Sequence, residues 1–443
     1  MSFPLLSNPD RLVLGMQEIP TSHTRQAVPW GISQLDRRNH LYIIGKTGMG
    51  KTALLRNILL QDIARGAGVG LIDPHGDLAE DIIDAIPKER TNDVVYFNPS
   101  DLEYPMAWNL IARIPLDARA DTADCLVDAF KSIFSDSWGP RLQWILYNAI
   151  RACLDAKNTT LLSVYRMLTD ESCRIRILQQ TEDPIIRDFW RVEFARWPER
   201  YQLEAVSSIR NKLGRFLASP AVRNIVGQVH SKIDLGFVMD NERIFIANLA
   251  KGTLGPDQAN LIGSLLVAQF QAAAFKRAVL PEHERRDFYL VIDEFQNFMT
   301  ESFTSILSEA RKYRLNLTMA HQYLAQARPA VREAVFGNAG SIIAFRVGGP
   351  DGEALQRAFG TDRYMTQAGL IDLKKYHVIA SIQKEGLPGY PFEGTTLAPI
   401  AATAGRKEIL IDLSRRNFSR PRATVEARIA ELFSEPQVGN SPP

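Results

Sequence analysis

Gly45-Lys46-Thr47-Gly48-Met49-Gly50-Lys51-Thr52 has the composition and spacing of a phosphate cradle. Gly45, Thr47, Gly48, Met49 and Gly50 form a loop whose backbone N–H groups can turn toward phosphate oxygens. Lys51 adds a mobile cation for the β and γ oxygens, and the Thr52 hydroxyl can ligate magnesium. A second chemical signal lies far downstream, where Phe288-Tyr289-Leu290-Val291-Ile292 runs into Asp293-Glu294. Asp293 can hold the hydration shell of a magnesium ion, and Glu294 can polarise an attacking water. Leu317-Thr318-Met319-Ala320 ends in His321-Gln322, and Gln322 is placed to sense a γ-phosphate or orient water. His321 reads as a residue that packs or bonds locally. Arg311 follows the apolar positions Phe303, Ile306, Leu307 and Ala310. There it either favours a helix dipole or reaches a neighbouring subunit's nucleotide.

These groups need a scaffold that brings them to one edge. The loop follows the apolar run Leu41–Ile44 and precedes a helix-patterned stretch from Ala53, the strand, loop and helix order that a phosphate cradle requires. Further strand-like runs are expected at Val69–Asp73, Val94–Phe97, Ile244–Ala247, Tyr289–Ile292, Leu317–Ala320 and Ile342–Val347, with helices between them. That alternation predicts an α/β fold, a mainly parallel sheet covered on both faces, whose ligands bind at the carboxyl ends of the strands. Asp73-Pro74-His75-Gly76-Asp77 would turn at this same edge, and metal binding by it alone would make a strained cage.

From Ile111 to Leu235 the alternation breaks. Leu203, Val206, Ile209, Leu213 and Phe216 recur at helical steps, and Pro140, Pro184, Pro198 and Pro220 punctuate helices. The expected organisation is a nucleotide-binding domain in two parts, 1–110 and 236–425, interrupted by an all-α insertion at 111–235. A C-terminal helix and disordered tail follow at 426–443. Arg415, Arg416, Arg420 and Arg422 crowd around Phe418 and could clamp nucleic-acid phosphates or form a solvated or intersubunit face.

With 52 basic against 50 acidic side chains, net charge points to no polyanion partner, so a nucleic-acid surface must be a local patch. Cys125, Cys153 and Cys173 lack paired metal spacing and read as reduced thiols, which fits the cytoplasm. The most apolar long segment, Leu261–Phe275, is broken by Ser264, Gln269 and Gln271. Neither a membrane span nor a signal peptide is expected.

Taken in order, the phosphate loop, the Asp73–Asp77 turn, Asp293-Glu294, Glu309-Ala310-Arg311-Lys312-Tyr313 and Ala320-His321-Gln322 resemble the ring-forming DNA-pumping ATPases of the HerA and FtsK superfamily. Within it they are most similar to coupling proteins of conjugative type IV secretion, the TraG and TraD-like group. The resemblance implies a RecA-like P-loop domain, ATP and Mg2+ as cofactors, and a homo-hexamer threaded by DNA with nucleotides between subunits. It also implies Lys51 and Thr52 on phosphate and metal, Asp293 on the metal, Glu294 as catalytic carboxylate, Gln322 as sensor and Arg311 as a finger acting in trans. Arg346, in Phe345-Arg346-Val347-Gly348, is a second candidate for the finger. Implied partners are a relaxase or DNA-processing complex and the membrane secretion apparatus. Coupling proteins of this type usually begin with membrane helices, whereas 44 residues precede this phosphate loop and none of them could span a bilayer. The expectation is therefore a cytoplasmic protein docked peripherally at the inner membrane through a partner, or one whose anchor is removed or on another chain. Alternatives to a coupling-type DNA translocase are a HerA-like repair or defence motor, a secretion-apparatus ATPase, and a nucleotide-gated oligomeric scaffold that scarcely hydrolyses.

Overall fold

A computed structural model describes residues 10–20, 25–111, 114–134, 137–300, 303–360 and 367–434. The polar tail at 435–443, expected to be disordered, lies outside them. The chain divides into two compact units. The first comprises Met1–Tyr96, Leu235–Leu249 and Ala273–Ile411, and the second Phe97–Asp234, Ala250–Ala272 and Asp412–Pro443.

The first unit is built on a mainly parallel sheet flanked by helices. Its strands are β1 (Arg11–Pro20), β2 (Arg25–Ser33), β3 (Leu41–Ile44), β4 (Gly68–Asp73), β5 (Val94–Phe97), β6 (Ile244–Asn248), β7 (Phe288–Ile292), β8 (Leu315–His321), β9 (Ser341–Ala344), β10 (His377–Ser381) and β11 (Phe392–Thr396). They lie in the order β2-β1-β11-β10-β9-β3-β8-β7-β4-β6-β5. The run from β9 to β6 is parallel throughout. These strands are buried along their length and most read as apolar segments, because helices cover both faces and leave no solvent side to alternate toward. On one face Leu54, Leu55, Ile58 and Ile63 of helix Lys51–Ala64 join Leu78, Ile82 and Ile83 of helix Asp77–Ala85 in a core with Leu41, Ile43, Val69 and Leu71.

The antiparallel half departs from the expected pattern. β1 and β2 form a hairpin with a bulge between Val13 and Gly15, and β11 pairs with β1 and β10. Gly15 and Gly394, which weaken the strand signal in the sequence, make room for the buried Trp30 indole. A Cβ at Gly15 would lie 2.6 Å from Trp30 Nε1, and one at Gly394 2.7 Å. The strand expected to reach Val347 ends at Ala344. Beyond it Phe345 still donates its N–H to Ile44 O at 2.8 Å, but the Arg346 carbonyl turns to accept the N–H of Lys46 at 2.9 Å.

Among the described residues no strand lies between β5 and β6. The second unit is helical, with Arg119–Ile133, Pro140–Asp155, Leu161–Thr169, Glu171–Gln180 and Glu199–Ala218 among its helices. Pro140, Pro184 and Pro220 each occupy a first helical turn, where a missing N–H costs no helical bond, and Pro198 stands at the cap position before Glu199. Val206, Ile209, Leu213 and Phe216 are buried as the periodicity predicts, whereas Leu203, near the start of that helix, is 53% exposed. No disulfide joins the three cysteines. No described helix is long and apolar enough to cross a membrane.

Candidate active site

Because β3, β8, β7 and β4 are parallel neighbours, their carboxyl ends open at one edge. The phosphate loop leaves β3, Gln322 follows β8, Asp293-Glu294 follows β7, and Asp73 ends β4. Gly48 (φ +80°) and Gly50 (φ +118°) hold the loop in the left-handed region. A side chain at Gly50 would also meet the Tyr376 ring at 2.6 Å. Helix Lys51–Ala64 begins after Gly50 with no side-chain cap, so its first N–H groups face outward from the loop as an anion site. Lys46, Thr47, Gly48 and Thr52 are exposed, whereas Lys51 is buried. The Lys51 Nζ donates to Gly45 O at 2.5 Å and to Lys46 O at 3.3 Å, curling over the place a phosphate would take. Burial holds its pKa below the ordinary ammonium value, against the pull of Glu294 and Asp293.

Asp293 and Glu294 are each 6% exposed. Burial, then the charges of Glu294 and Asp73, push the Asp293 carboxyl up to about 7, against the Glu294 N–H and Lys51. Glu294 adopts a left-handed backbone (φ 46°), an uncommon conformation for a non-glycine residue that turns the chain sharply out of β7. Both its carboxylate oxygens are held: Gln322 Nε2 donates to Oε1 at 3.0 Å and Gln296 Nε2 to Oε2 at 2.7 Å. Gln322 in turn donates its N–H to Gln326 Oε1 at 3.3 Å. Beneath them Phe295 packs on His321 with ring centroids 4.8 Å apart, and His321 Nε2 shares a 2.5 Å hydrogen bond with the Tyr42 hydroxyl. His321 thus packs and bonds locally, as expected.

Gln296, Tyr42 and Tyr376 join this edge without a short-range signal in the sequence. Gln296 lies in a turn, Tyr42 within an apolar strand, and Tyr376 is remote in the chain though its N–H donates to Met49 O at 2.9 Å. Asp73 faces inward, accepting the N–H groups of His75 and Ala79 at 2.9 Å and so anchoring its own turn. Among the described residues no group of three or more metal-ligating side chains forms, from that turn or elsewhere.

Arg311 lies elsewhere. It occupies the exposed one-turn helix Ala310–Tyr313, just before β8, at the amino-terminal edge of the strands. It lines a cavity of about 480 Å³ with Asn39 and His40, and a larger one of about 1480 Å³ with Arg38 and Lys312. His40 directly precedes β3 and the phosphate loop directly follows it, so about 13 Å of strand separates the two ends. Arg346 meets the loop through its backbone carbonyl, as described above.

His40 ties the Arg311 end together and yields a stability prediction. Its buried ring accepts the Leu317 N–H at Nδ1 (3.1 Å) and donates from Nε2 to Leu307 O (3.2 Å), which requires the neutral form. Burial, reinforced by the Arg311 charge and opposed by the Leu307 bond, lowers its pKa to about 4; burial and Lys51 lower His321 to about 3. Below about pH 6.5 the unfolded chain takes up protons that the folded one refuses. The histidines' contribution is therefore complete above that pH and falls as pH drops, by up to about 1.4 kcal/mol per pH unit for each. The Asp293 carboxyl, raised to about 7, acts in the opposite direction over this range, so the test is a difference: in denaturant melts between pH 7 and 5, acidification should cost His40→Asn less stability than the unsubstituted protein.

Residues 27–187 match the sequence profile of the type IV secretion-system coupling protein DNA-binding domain. A search of curated protein sequences found no match. Among solved structures, the bacterial conjugative coupling protein TrwBdeltaN70 in its unbound form is similar with a TM-score of 0.61 at 15% identity, over 90% of this chain and 96% of that one. The plasmid coupling protein TrwB in complex with ADP and Mg2+ has a TM-score of 0.60 at 15% identity, over 90% and 97%. VirB4 of Thermoanaerobacter pseudethanolicus has a TM-score of 0.55 at 15% identity, over 89% and 98%. At such identities it is the fold that is shared. This chain has the fold of the solved TrwB and VirB4 structures, and residues 27–187 carry the sequence signature of the type IV secretion-system coupling protein DNA-binding domain.

Proposed function

We propose that this protein is an ATP-dependent DNA translocase of the coupling-protein type, which hydrolyses ATP at the boundary between adjacent copies in a ring, expected to be a hexamer. The observation that carries the hydrolytic part is the Glu294 carboxylate, held by Gln322 and Gln296 at the same sheet edge as the phosphate loop. Two bound amides still leave lone pairs on its oxygens for a water. In the proposed reaction Glu294 takes a proton from that water as its oxygen attacks the γ-phosphorus and the bond to the β–γ bridging oxygen breaks. Lys51 and the loop N–H groups hold the phosphates, and Gln322 registers whether the γ-phosphate is present.

The negative charge at this edge, buried Asp293 with Glu294 and Asp73 near enough to push up its pKa, is what a divalent cation carried on the nucleotide's phosphates would balance. Thr52 and Asp293 would hold magnesium, which supplies charge neutralisation on the phosphates when bound. The plasmid coupling protein TrwB in complex with ADP and Mg2+ supports magnesium as the nucleotide's companion.

Arg311 supports sharing of the nucleotide between copies. It stands at the strand edge opposite its own phosphate loop, so a nucleotide within its reach would have to be a neighbour's. On this proposal the sheet domain is the motor, 111–235 is an insertion in it, and docking at the inner membrane runs through a partner of the secretion apparatus.

One further reading is an ATPase that drives a secretion apparatus without handling DNA; the type IV secretion-system signature in residues 27–187 is what supports it. ATP turnover measured with and without DNA separates the two. Stimulation of several-fold by single-stranded or duplex DNA is expected; turnover indifferent to both would overturn the translocase proposal.

A further inference from the structure

The arginine cluster near the carboxyl terminus separates into two kinds of residue. Arg415 Nε donates to Asp101 at 2.6 Å, and Arg416 pairs with Asp412 at 2.5 Å. Arg422 is bound to Glu426 at 2.8 Å, with Glu103 3.6 Å away. These three have carboxylates. Arg420 has none: among the described residues its guanidinium makes no hydrogen bond or ion pair, and its Nε is buried without an acceptor. Its backbone is nonetheless fixed, since its N–H donates to Pro105 O at 3.3 Å and the preceding Ser419 is bridged to Met106.

A second cation is held beside it. Lys232 Nζ donates to Ser419 O at 2.9 Å, close enough that Arg420's charge adds to burial in holding the Lys232 pKa down. Arg420 opens on a cavity of about 390 Å³ that His230, Arg428, Gln228 and Asn158 also line, with Glu431 its one acid. A buried donor with no acceptor is unfavourable, and like charges held together add to that. An anion in the cavity relieves both. Gln228 narrows the choice: its Nε2 bonds to Pro105 O, Met106 O and Asn224 O, but its buried Oε1 lacks a donor. Hydrogen phosphate offers acceptor oxygens to arginine and an O–H to that acceptor, whereas an internal phosphodiester has no O–H.

We propose that the cavity framed by Arg420, His230, Arg428 and Gln228 in the helical unit is a binding site for a phosphate group bearing a hydroxyl, either free inorganic phosphate or the terminal phosphate of a nucleic-acid strand. The site stands independently of the hydrolysis proposal. Its test uses the full chain carrying Lys51→Ala, so that phosphate binding at the P-loop is weakened, titrated calorimetrically with inorganic phosphate at pH 6.5. Binding in the millimolar range or tighter is expected. Arg420→Gln should weaken it about 10- to 100-fold, the loss of a charge-assisted contact. Glu431→Gln should strengthen it by removing the rim's negative charge, a gain no misfolded variant can mimic, and Arg416→Gln should leave it unchanged. Absence of phosphate binding, or affinity indifferent to both Arg420→Gln and Glu431→Gln, would overturn the proposal. Competition by a 5′-phosphorylated oligonucleotide, and not by its 5′-hydroxyl counterpart, would assign the site to strand ends. Failure of both to compete would assign it to free phosphate.

Discussion

Glu294→Gln is expected to slow ATP turnover by about 10²- to 10⁴-fold, the usual contribution of a positioned proton acceptor, while ATP binding and assembly persist. The surroundings explain why this substitution isolates the chemistry. Glutamine keeps an oxygen for Gln322, and its new NH2 would face Gln296, whose Oε1 is buried without a partner. A flip of the Gln296 amide turns a donor into an acceptor and satisfies both groups. Glu294→Ala differs, because it strands two amides and should lower stability by about 1–3 kcal/mol. Turnover, nucleotide affinity and melting temperature should therefore separate the two variants. An active Glu294→Gln protein would remove Glu294 from the reaction.

Arg311→Ala is expected to reduce turnover comparably or more, about 10³- to 10⁵-fold for a finger that stabilises the transferring phosphoryl group. Nucleotide binding to the isolated chain should barely change, since Arg311 lies at the far edge of the sheet. Lys51→Ala should lose phosphate binding instead. Mixing the two inactive proteins is the decisive comparison, because a boundary with the intact loop of the Arg311→Ala copy and the intact arginine of the Lys51→Ala copy is complete. A fraction of activity should return with mixing and be greatest near equal proportions. A mixture as inactive as its parts would place the nucleotide within one copy and deprive Arg311 of its proposed role.

Much of the parallel half of the sheet could be read from the chain because its physics is local. Strands such as Tyr289–Ile292 are buried on both faces, so they appear as apolar runs that end where polar groups begin. The loop after β3 could be read because phosphate binding demands glycines and a lysine at fixed spacing. β1, β2, β10 and β11 could not, since their identity depends on partners distant in the chain. Phe392-Glu393-Gly394-Thr395-Thr396 has little apolar pattern and becomes a strand by pairing with β1 and β10, its glycine accommodating Trp30. The same holds within the site. Asp293 and Glu294 stand out at a strand end, but Gln296 is recognised as a partner of Glu294 only once the left-handed turn folds it back. The arginine cluster is the reverse case, conspicuous as a block of charge yet divided by pairing, along the helix for Arg416 and Arg422 and with distant Asp101 for Arg415, into three neutralised residues and one that is not.

Movement along DNA is the step that joins hydrolysis to function, and streptavidin displacement measures it. A biotinylated strand end blocked with streptavidin is presented to the protein with ATP and Mg2+, as single-stranded and as duplex DNA. The expected result is ATP-dependent release from at least one of the two, lost in Glu294→Gln. Steady ATP consumption with streptavidin left in place on both substrates would contradict the translocase outright.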